Sequence, residues 1–183
     1  MIRLLDFLFA FLGLFLLSPI LVLLIILGYF DTGSPIFKQE RAGKNMKPFR
    51  LYKFRSMNVN TKSVATHLAS SSSITKLGKF LRASKLDELP QLFNVLIGDM
   101  SLVGPRPNLF NQHELIEYRS KRGVYNFRPG ITGLAQIQRV DMSTPELLAE
   151  IDSEMTSNLS LLLYVKLIIL TIVGKGSGDR IVK

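Results

Sequence analysis

Cysteine and tryptophan are missing from this 183-residue chain, and histidine occurs only twice. Without cysteine there is no disulfide framework, no thiolate nucleophile and no cysteine-based zinc site, and the redox compartment stays open. His67 and His113 stand far apart with no ligand spacing between them, which leaves them surface or packing roles. Acid is scarce as well: 14 Asp and Glu face 23 Lys and Arg, a net charge of +9. The excess is uneven. Lys38, Arg41, Lys44, Lys47, Arg50, Lys53 and Arg55 crowd together, with Glu40 the one acid among them. Such a segment is drawn to anionic lipid head groups by about 1 kcal/mol per cation near the surface, and it also suits phosphate-bearing substrates. The length allows one domain with its own core, but not two ordinary domains plus a membrane anchor. No internal repeat and no glycine-rich nucleotide fingerprint is visible.

What precedes the basic stretch is apolar. Phe7 to Tyr29 is long enough to cross a hydrocarbon core of roughly 30 Å at 1.5 Å per residue. No small-residue cleavage site follows it and only Arg3 precedes Asp6, so it does not read as a cleaved signal. Pro19 removes a backbone hydrogen bond and crowds the carbonyl of Phe15, and Ser18 can offer its hydroxyl to a freed carbonyl. Two readings fit: a kinked span, or a re-entrant helix-break-helix that enters and leaves by one face. The basic residues after Tyr29 belong on the cytoplasmic side by the positive-inside rule, whereas one arginine cannot place the N-terminus.

The remainder reads as a compact α+β chain, mainly helical. Asp31 to Pro35 is a turn, and Pro48 to Met57 is a strand or hairpin with Phe49, Leu51 or Tyr52 on its apolar side. Thr61 to Ser73 is a polar loop. Helices are expected near 75–83, 89–97 and 110–121, then a turn at Arg128-Pro129-Gly130 and a strand from Ile131 to Ile137. Thr144-Pro145 starts another helix, with Thr144 as cap. Leu159 to Val173 is short for a span and reads as an interfacial or core helix.

Chemistry concentrates in Leu86-Asp87-Glu88-Leu89-Pro90 and in Asp99 to Pro107. Leu89, Leu92, Phe93 and Leu96 fall on one helical face that Gly98 ends. Pro90 fits a first turn, which puts Asp87 and Glu88 at the helix N-terminus, where free N–H groups favour ionised carboxylates. Ordinary helix capping uses the same residues. The company of the pair argues otherwise: Pro105-Arg106-Pro107 braces one arginine whose guanidinium can hold two phosphate oxygens. Lys76, Lys79, Arg82 and Lys85 recur every three residues on a helix whose apolar positions are Leu77, Phe80 and Leu81; the stripe reads equally as a solvated face.

Several blocks in order carry a resemblance. They are Ser18-Pro19, Gly33-Ser34-Pro35-Ile36-Phe37 with Gln39 and Arg41, Lys53-Phe54-Arg55-Ser56-Met57, Asp87-Glu88 through Pro107, and Arg128-Pro129-Gly130-Ile131-Thr132-Gly133. Together they resemble the bacterial sugar transferases, the monotopic phosphoglycosyltransferases that move a sugar phosphate from a nucleotide-sugar to polyprenyl phosphate. The resemblance implies a re-entrant membrane helix over residues 1–30, broken at Ser18-Pro19, and a membrane-associated catalytic domain over 31–183 on the cytoplasmic face of the bacterial inner membrane. It implies Asp87 as nucleophile and Glu88 as a catalytic residue and Mg²⁺ ligand. Arg106 and Arg139 are implied for substrate phosphate, and Lys53, Arg55 and Arg128, from the matching blocks, for phosphate or nucleotide. The chain departs from the pattern in three places. Gln136-Ile137-Gln138-Arg139 lacks the glycine before the arginine and is one residue short, Tyr164 replaces an aspartate before the last apolar helix, and Ser70 to Ser73 replaces charged residues.

The resulting expectation is a UDP-sugar as donor, polyprenyl (undecaprenyl) phosphate as acceptor, Mg²⁺ as cofactor, membrane lipids as surroundings and no nucleic acid partner; self-association is left open. Two rivals stay open: an Mg²⁺-dependent phosphatase of lipid or nucleotide diphosphates, and a noncatalytic membrane-attached module that binds polyanions. The second gives no reason for Asp87-Glu88, because carboxylates repel phosphate unless a metal intervenes.

Overall fold

A computed structural model describes residues 1–61 and 73–174 of the chain. The apolar N-terminus forms two helices, α1 (Ile2–Leu16) and α2 (Ser18–Thr32), bent by 64° at Leu17. Pro19 sits in the first turn of α2, where a missing N–H has no intrahelical partner to lose. The Ser18 hydroxyl donates to the Phe15 carbonyl at 2.7 Å, as the sequence anticipates. Among the described residues no single helix is long and apolar enough to cross a membrane; the bent pair passes that test only jointly. Leu4, Phe7, Phe11, Phe15, Ile26 and Phe30 lie exposed along the pair.

A hairpin follows, β1 (Ile36–Ala42) antiparallel to β2 (Pro48–Phe54), with Phe49 and Leu51 buried. Helix α2 runs through Thr32 and Gly33 ends it in the left-handed region at φ 70°, so the expected turn begins two residues late. Beyond it come α3 (Lys76–Ala83), a single 3₁₀ turn over Leu86–Glu88, α4 (Gln91–Ile97), β3 (Ser101–Val103), α5 (His113–Lys121), β4 (Gly130–Thr132), α6 (Leu134–Ile137), α7 (Pro145–Ser157) and α8 (Leu161–Ile172). Strands β3 and β4 pair in parallel. Most of the polar loop expected at 61–73 lies outside the described residues.

Three expectations are corrected. The strand expected over 131–137 stops at Thr132, because Gly133 takes an extended φ of −172° and the next four residues coil into α6. Phe93 and Phe80 are exposed at 45% and 57%. The buried positions of α4 include Gln91, Asn94 and Val95, since its polar Asn94 bonds to β2, and Phe93 instead lies edge-on against Tyr52. Asp87 and Glu88 occupy the 3₁₀ turn ahead of α4, not its first turn, and Lys85 enters that turn at φ 58°. A non-glycine residue in that region carries local strain of a kind that gathers at functional sites.

The N-terminal helices share cores with the rest. Ala10 joins Phe49, Leu51, Val95 and Met100, and Leu21 and Leu24 pack with Phe54, Leu81, Leu86 and Leu89. Gly13 lets α1 approach α4 so closely that a Cβ there would meet Leu92 at 3.1 Å. Arg3 donates to the Val95 and Leu96 carbonyls at the end of α4, at 2.6 and 3.0 Å. Asp6 is buried, and its Oδ1 accepts from the Ser101 hydroxyl at 2.9 Å, the Leu102 amide at 2.8 Å and the Tyr164 hydroxyl at 2.8 Å. Tyr164 is therefore a packing residue of α8 that pins α1. Its burial, with the Asp6 charge beside it, pushes the phenol well above its ordinary range.

A buried carboxylate is tolerated only while hydrogen bonds replace its hydration. Tyr164→Phe removes one of the three donors to Asp6, so the folded state should lose about 1.5 to 3 kcal/mol. Denaturant unfolding of the purified protein measures this, and an unchanged midpoint contradicts the anchoring role.

Candidate active site

The 3₁₀ turn presents two adjacent carboxylates, and the flanking Leu86 and Leu89 bury themselves against α2. This apolar pinning fixes the turn and leaves Asp87 only 5% exposed. Glu88 accepts from the Arg106 guanidinium at 2.7 Å, and Lys53 Nζ lies 3.6 Å from the same carboxylate oxygen. These three side chains come from the turn, from β2 and from the segment after β3, and all are largely buried.

The segment carrying Arg106 is held by its carbonyls. Proline has no N–H to give, so Pro105 and Pro107 contribute acceptors only. The Gly130 amide donates to Pro105 at 2.9 Å, Arg119 Nη1 to Arg106 at 2.9 Å, Arg41 Nη1 to Pro107 at 3.2 Å, and the Ala42 amide to Asn108 at 3.0 Å. Arg119 also donates to Asn108 Oδ1 at 2.9 Å, an oxygen that the Tyr125 hydroxyl reaches at 2.9 Å. Its other two donors, Nε and Nη2, meet Asp152 Oδ2 at 3.0 and 2.6 Å, with both side chains 1% exposed. Burial pushes the Asp152 carboxyl above its ordinary value against the pull of Arg119, and it pushes the Tyr125 phenol up likewise.

Of the expected phosphate-binding cations, the structure brings Lys53 and Arg106 to Glu88. Arg55 is turned to Ser34, donating to its carbonyl at 2.8 Å, and its guanidinium stacks over Phe37. It braces the α2–β1 turn. Arg128 donates to the Gly98 carbonyl at 2.9 Å, behind the end of α4. Arg139 is exposed at φ 63° after α6, a backbone conformation that a glycine adopts without strain. Arg82 of the basic stripe faces inward, donating to the buried Ser56 hydroxyl at 2.8 Å, while Lys76 and Lys79 are exposed. The basic run after α2 divides similarly: Lys38, Lys44, Lys47 and Arg50 face outward, and Arg41 and Lys53 are buried toward the site.

Arg119, Asp152 and Asn94 carry no motif, but a signal for two of them exists. Asp152 follows Leu148 by one helical turn and lies between Ile151 and Met155, and Arg119 follows Leu115 by one turn. A charge on an apolar helical face requires an opposite charge across the core.

The donor set fits magnesium in a particular way. Among the described residues no group of three His, Asp or Glu converges on one point, so no dedicated cage exists there. Magnesium is commonly held by one or two carboxylates together with substrate phosphates. Asp87 and Glu88 supply carboxylates of that kind beside Lys53 and Arg106, cations suited to the same phosphates.

A family profile described as bacterial sugar transferase matches residues 1–175. The chain is 38% identical over 194 residues to a galactosyl transferase, CpsE, of Streptococcus agalactiae, covering 97% of this chain and 43% of that protein. It is 40% identical to an uncharacterized sugar transferase, EpsL, of Bacillus subtilis, covering 93% and 84%. It is also 40% identical to a UDP-glucose:undecaprenyl-phosphate glucose-1-phosphate transferase of Escherichia coli, covering 91% and 38%. The chain thus spans less than half the length of the first and last of these relatives.

Asn94 sets β2, and with it Lys53, against α4. Its side chain accepts from the Tyr52 amide at 3.0 Å and donates to the Arg50 carbonyl at 2.7 Å. Asn94→Leu keeps the volume and leaves both part-buried backbone groups without this partner, which should cost about 1 to 3 kcal/mol. Denaturant unfolding checks it; a wild-type midpoint contradicts the role.

Proposed function

The chain belongs to the bacterial sugar transferase family, and from that premise we propose that it transfers a sugar-1-phosphate from a UDP-sugar to polyprenyl (undecaprenyl) phosphate, releasing UMP. The observation that carries this reading is the Asp87-Glu88 turn set against two fixed cations, Lys53 and Arg106. The names of relatives support the substrate classes, since one is a UDP-glucose:undecaprenyl-phosphate transferase and another a galactosyl transferase. Their sugars differ, so a panel of UDP-sugars is the appropriate substrate set.

A carboxylate oxygen of Asp87 attacks the phosphorus that carries the sugar. The bond from that phosphorus to the UMP oxygen breaks, and UMP leaves with the electron pair, giving an aspartyl-phosphosugar. An oxygen of polyprenyl phosphate then attacks the same phosphorus, the aspartyl oxygen leaves, and the carboxylate is restored. Neither displacement needs a net proton. Arg106 offers five N–H donors, so its guanidinium can keep Glu88 and still hold phosphate oxygens. Lys53 adds a point charge on the same side. Glu88 would help to hold a magnesium ion, which would supply charge neutralisation at the leaving group.

The two rivals are distinguished by the acceptor and by the carboxylates. A phosphatase would take water in place of polyprenyl phosphate and so release UMP without the lipid. A passive polyanion-binding module gives no use to a buried carboxylate pair. Large apolar side chains are exposed along both α1 and α2, a feature of membrane or protein contact surfaces, which supports insertion of the bent pair into the cytoplasmic leaflet of the bacterial inner membrane. Lys38, Lys44, Lys47 and Arg50, exposed on the adjoining hairpin, suit anionic head groups.

With Mg²⁺ and a panel of UDP-glucose, UDP-galactose and UDP-N-acetylgalactosamine, the purified protein should release UMP in quantity only when polyprenyl phosphate is present. Asp87→Asn should stay folded and lose this turnover by at least about a thousandfold, because the amide keeps the shape and lacks the attacking oxygen. Turnover of Asp87→Asn within about tenfold of wild type contradicts the nucleophile assignment.

The bend makes a topological prediction. A single cysteine added ahead of Met1 in this cysteine-free chain should react with an impermeant reagent only after spheroplasts are permeabilised, on the same side as Lys38. Labelling from outside intact spheroplasts contradicts the re-entrant arrangement.

A further inference from the structure

We propose that Arg119 and Asp152 form a positioning couple for Arg106, holding the Arg106 carbonyl so that its guanidinium is aimed at the substrate phosphate. The inference deepens the proposed function and rests on Arg106 touching that phosphate.

Arg119 spends its guanidinium in two directions. Nε and Nη2 are taken by Asp152 Oδ2, and Nη1 donates to the Arg106 carbonyl and to Asn108 Oδ1. One planar group therefore connects α7 to the backbone of the very residue whose side chain reaches Glu88 at 2.7 Å. Arg106 lies between two prolines, so its backbone has little torsional freedom of its own. Fixing its carbonyl fixes where its side chain departs. The neighbouring carbonyls are held by Gly130, Arg41 and Ala42, and Arg119 is the donor given to Arg106 itself.

The energetics point the same way. A fully buried ion pair rarely adds net stability over apolar residues of equal size, because desolvating both charges offsets their attraction. Here the cost is heightened: Asp152 Oδ1 is buried with no hydrogen-bond partner among the described residues. What the couple contributes is geometry. Lysine cannot substitute, since a single ammonium cannot meet Asp152 and the Arg106 carbonyl with the fixed fork of a guanidinium.

The test is a double-mutant cycle on kcat/KM for the preferred UDP-sugar, with circular dichroism and denaturant unfolding confirming that each variant folds. With Arg106 present, Arg119→Lys should lower kcat/KM by about tenfold or more; in an Arg106→Ala background the same change should cost less than about twofold, because the residue it positions is gone. Arg106→Lys replaces that background if Arg106→Ala is too slow to measure. Equal costs in both backgrounds overturn the proposal, since a purely structural role does not depend on the side chain at 106. If Arg119→Lys does not fold, Asp152→Asn, which keeps the shape and removes the charge, runs through the same cycle; failure of both to fold assigns the pair to folding alone and overturns the proposal. An Arg106→Ala variant with wild-type kcat/KM removes Arg106 from the substrate and the couple with it. Absence of UMP release by the wild-type protein is the separate result that contradicts the proposed function.

Discussion

The ion pair at Glu88 is the contact on which the site depends, because it joins parts of the chain that are otherwise built independently. Glu88 comes from a 3₁₀ turn pinned by Leu86 and Leu89 on α2, Arg106 from a segment anchored by its carbonyls, and Lys53 from a strand fixed by Asn94. None of these supports is local in sequence. Glu88 and Arg106 meet at 2.7 Å because each is held from behind by packing or buried hydrogen bonds, and such charge-assisted contacts are short and directional. The pair's contribution to net stability is small once desolvation is counted. Its value is the fixed placement of two cations beside a buried carboxylate.

The same logic connects the site to the N-terminal helices. Leu21 and Leu24 of α2 share a core with the residues flanking Asp87 and Glu88, so the turn cannot shift without the helix. Helix α1 is tied more rigidly still. Asp6 is bound by β3 and α8, and Arg3 caps α4. Strand β3 then runs directly into Pro105-Arg106-Pro107. In the proposed membrane arrangement, the depth of the apolar pair in the leaflet therefore determines the height of the carboxylate turn and of Arg106 above it. Under the proposed function, that level is where a soluble nucleotide-sugar and a lipid phosphate would meet.

Much of this was legible in the sequence wherever a local rule governs. Periodicity and stop signals marked α3 and the glycine that ends α4, and the apolar run from Leu159 marked α8; the Ser18-Pro19 break and the first helical position of Pro145 followed from proline chemistry. The carboxylate pair and Arg106 were legible because their neighbours constrain the backbone. Local rules failed where tertiary contacts decide. Ile131 to Ile137 has strand-like composition, yet it turns into α6 after Gly133. Phe93 fits an apolar face, yet Asn94 displaces it from the core by bonding to β2. Arg55 and Arg128 lie in motif blocks and turn out to brace carbonyls, whereas Arg119, Asp152 and Asp6 stand in no motif and hold the site together. Charges buried on apolar helical faces acquire meaning only when the partner across the core is known.

The central claim is that Asp87 becomes covalently attached to the sugar phosphate, and intact-protein mass spectrometry tests it most directly. Incubated with Mg²⁺ and the preferred UDP-sugar in the absence of polyprenyl phosphate, the protein should gain the mass of one sugar phosphate and release a matching quantity of UMP. Peptide mapping should place the adduct on Asp87, and adding polyprenyl phosphate should discharge it. If UMP appears only when both substrates are present and no adduct forms on quenching during turnover, the transfer is direct and the covalent account is wrong.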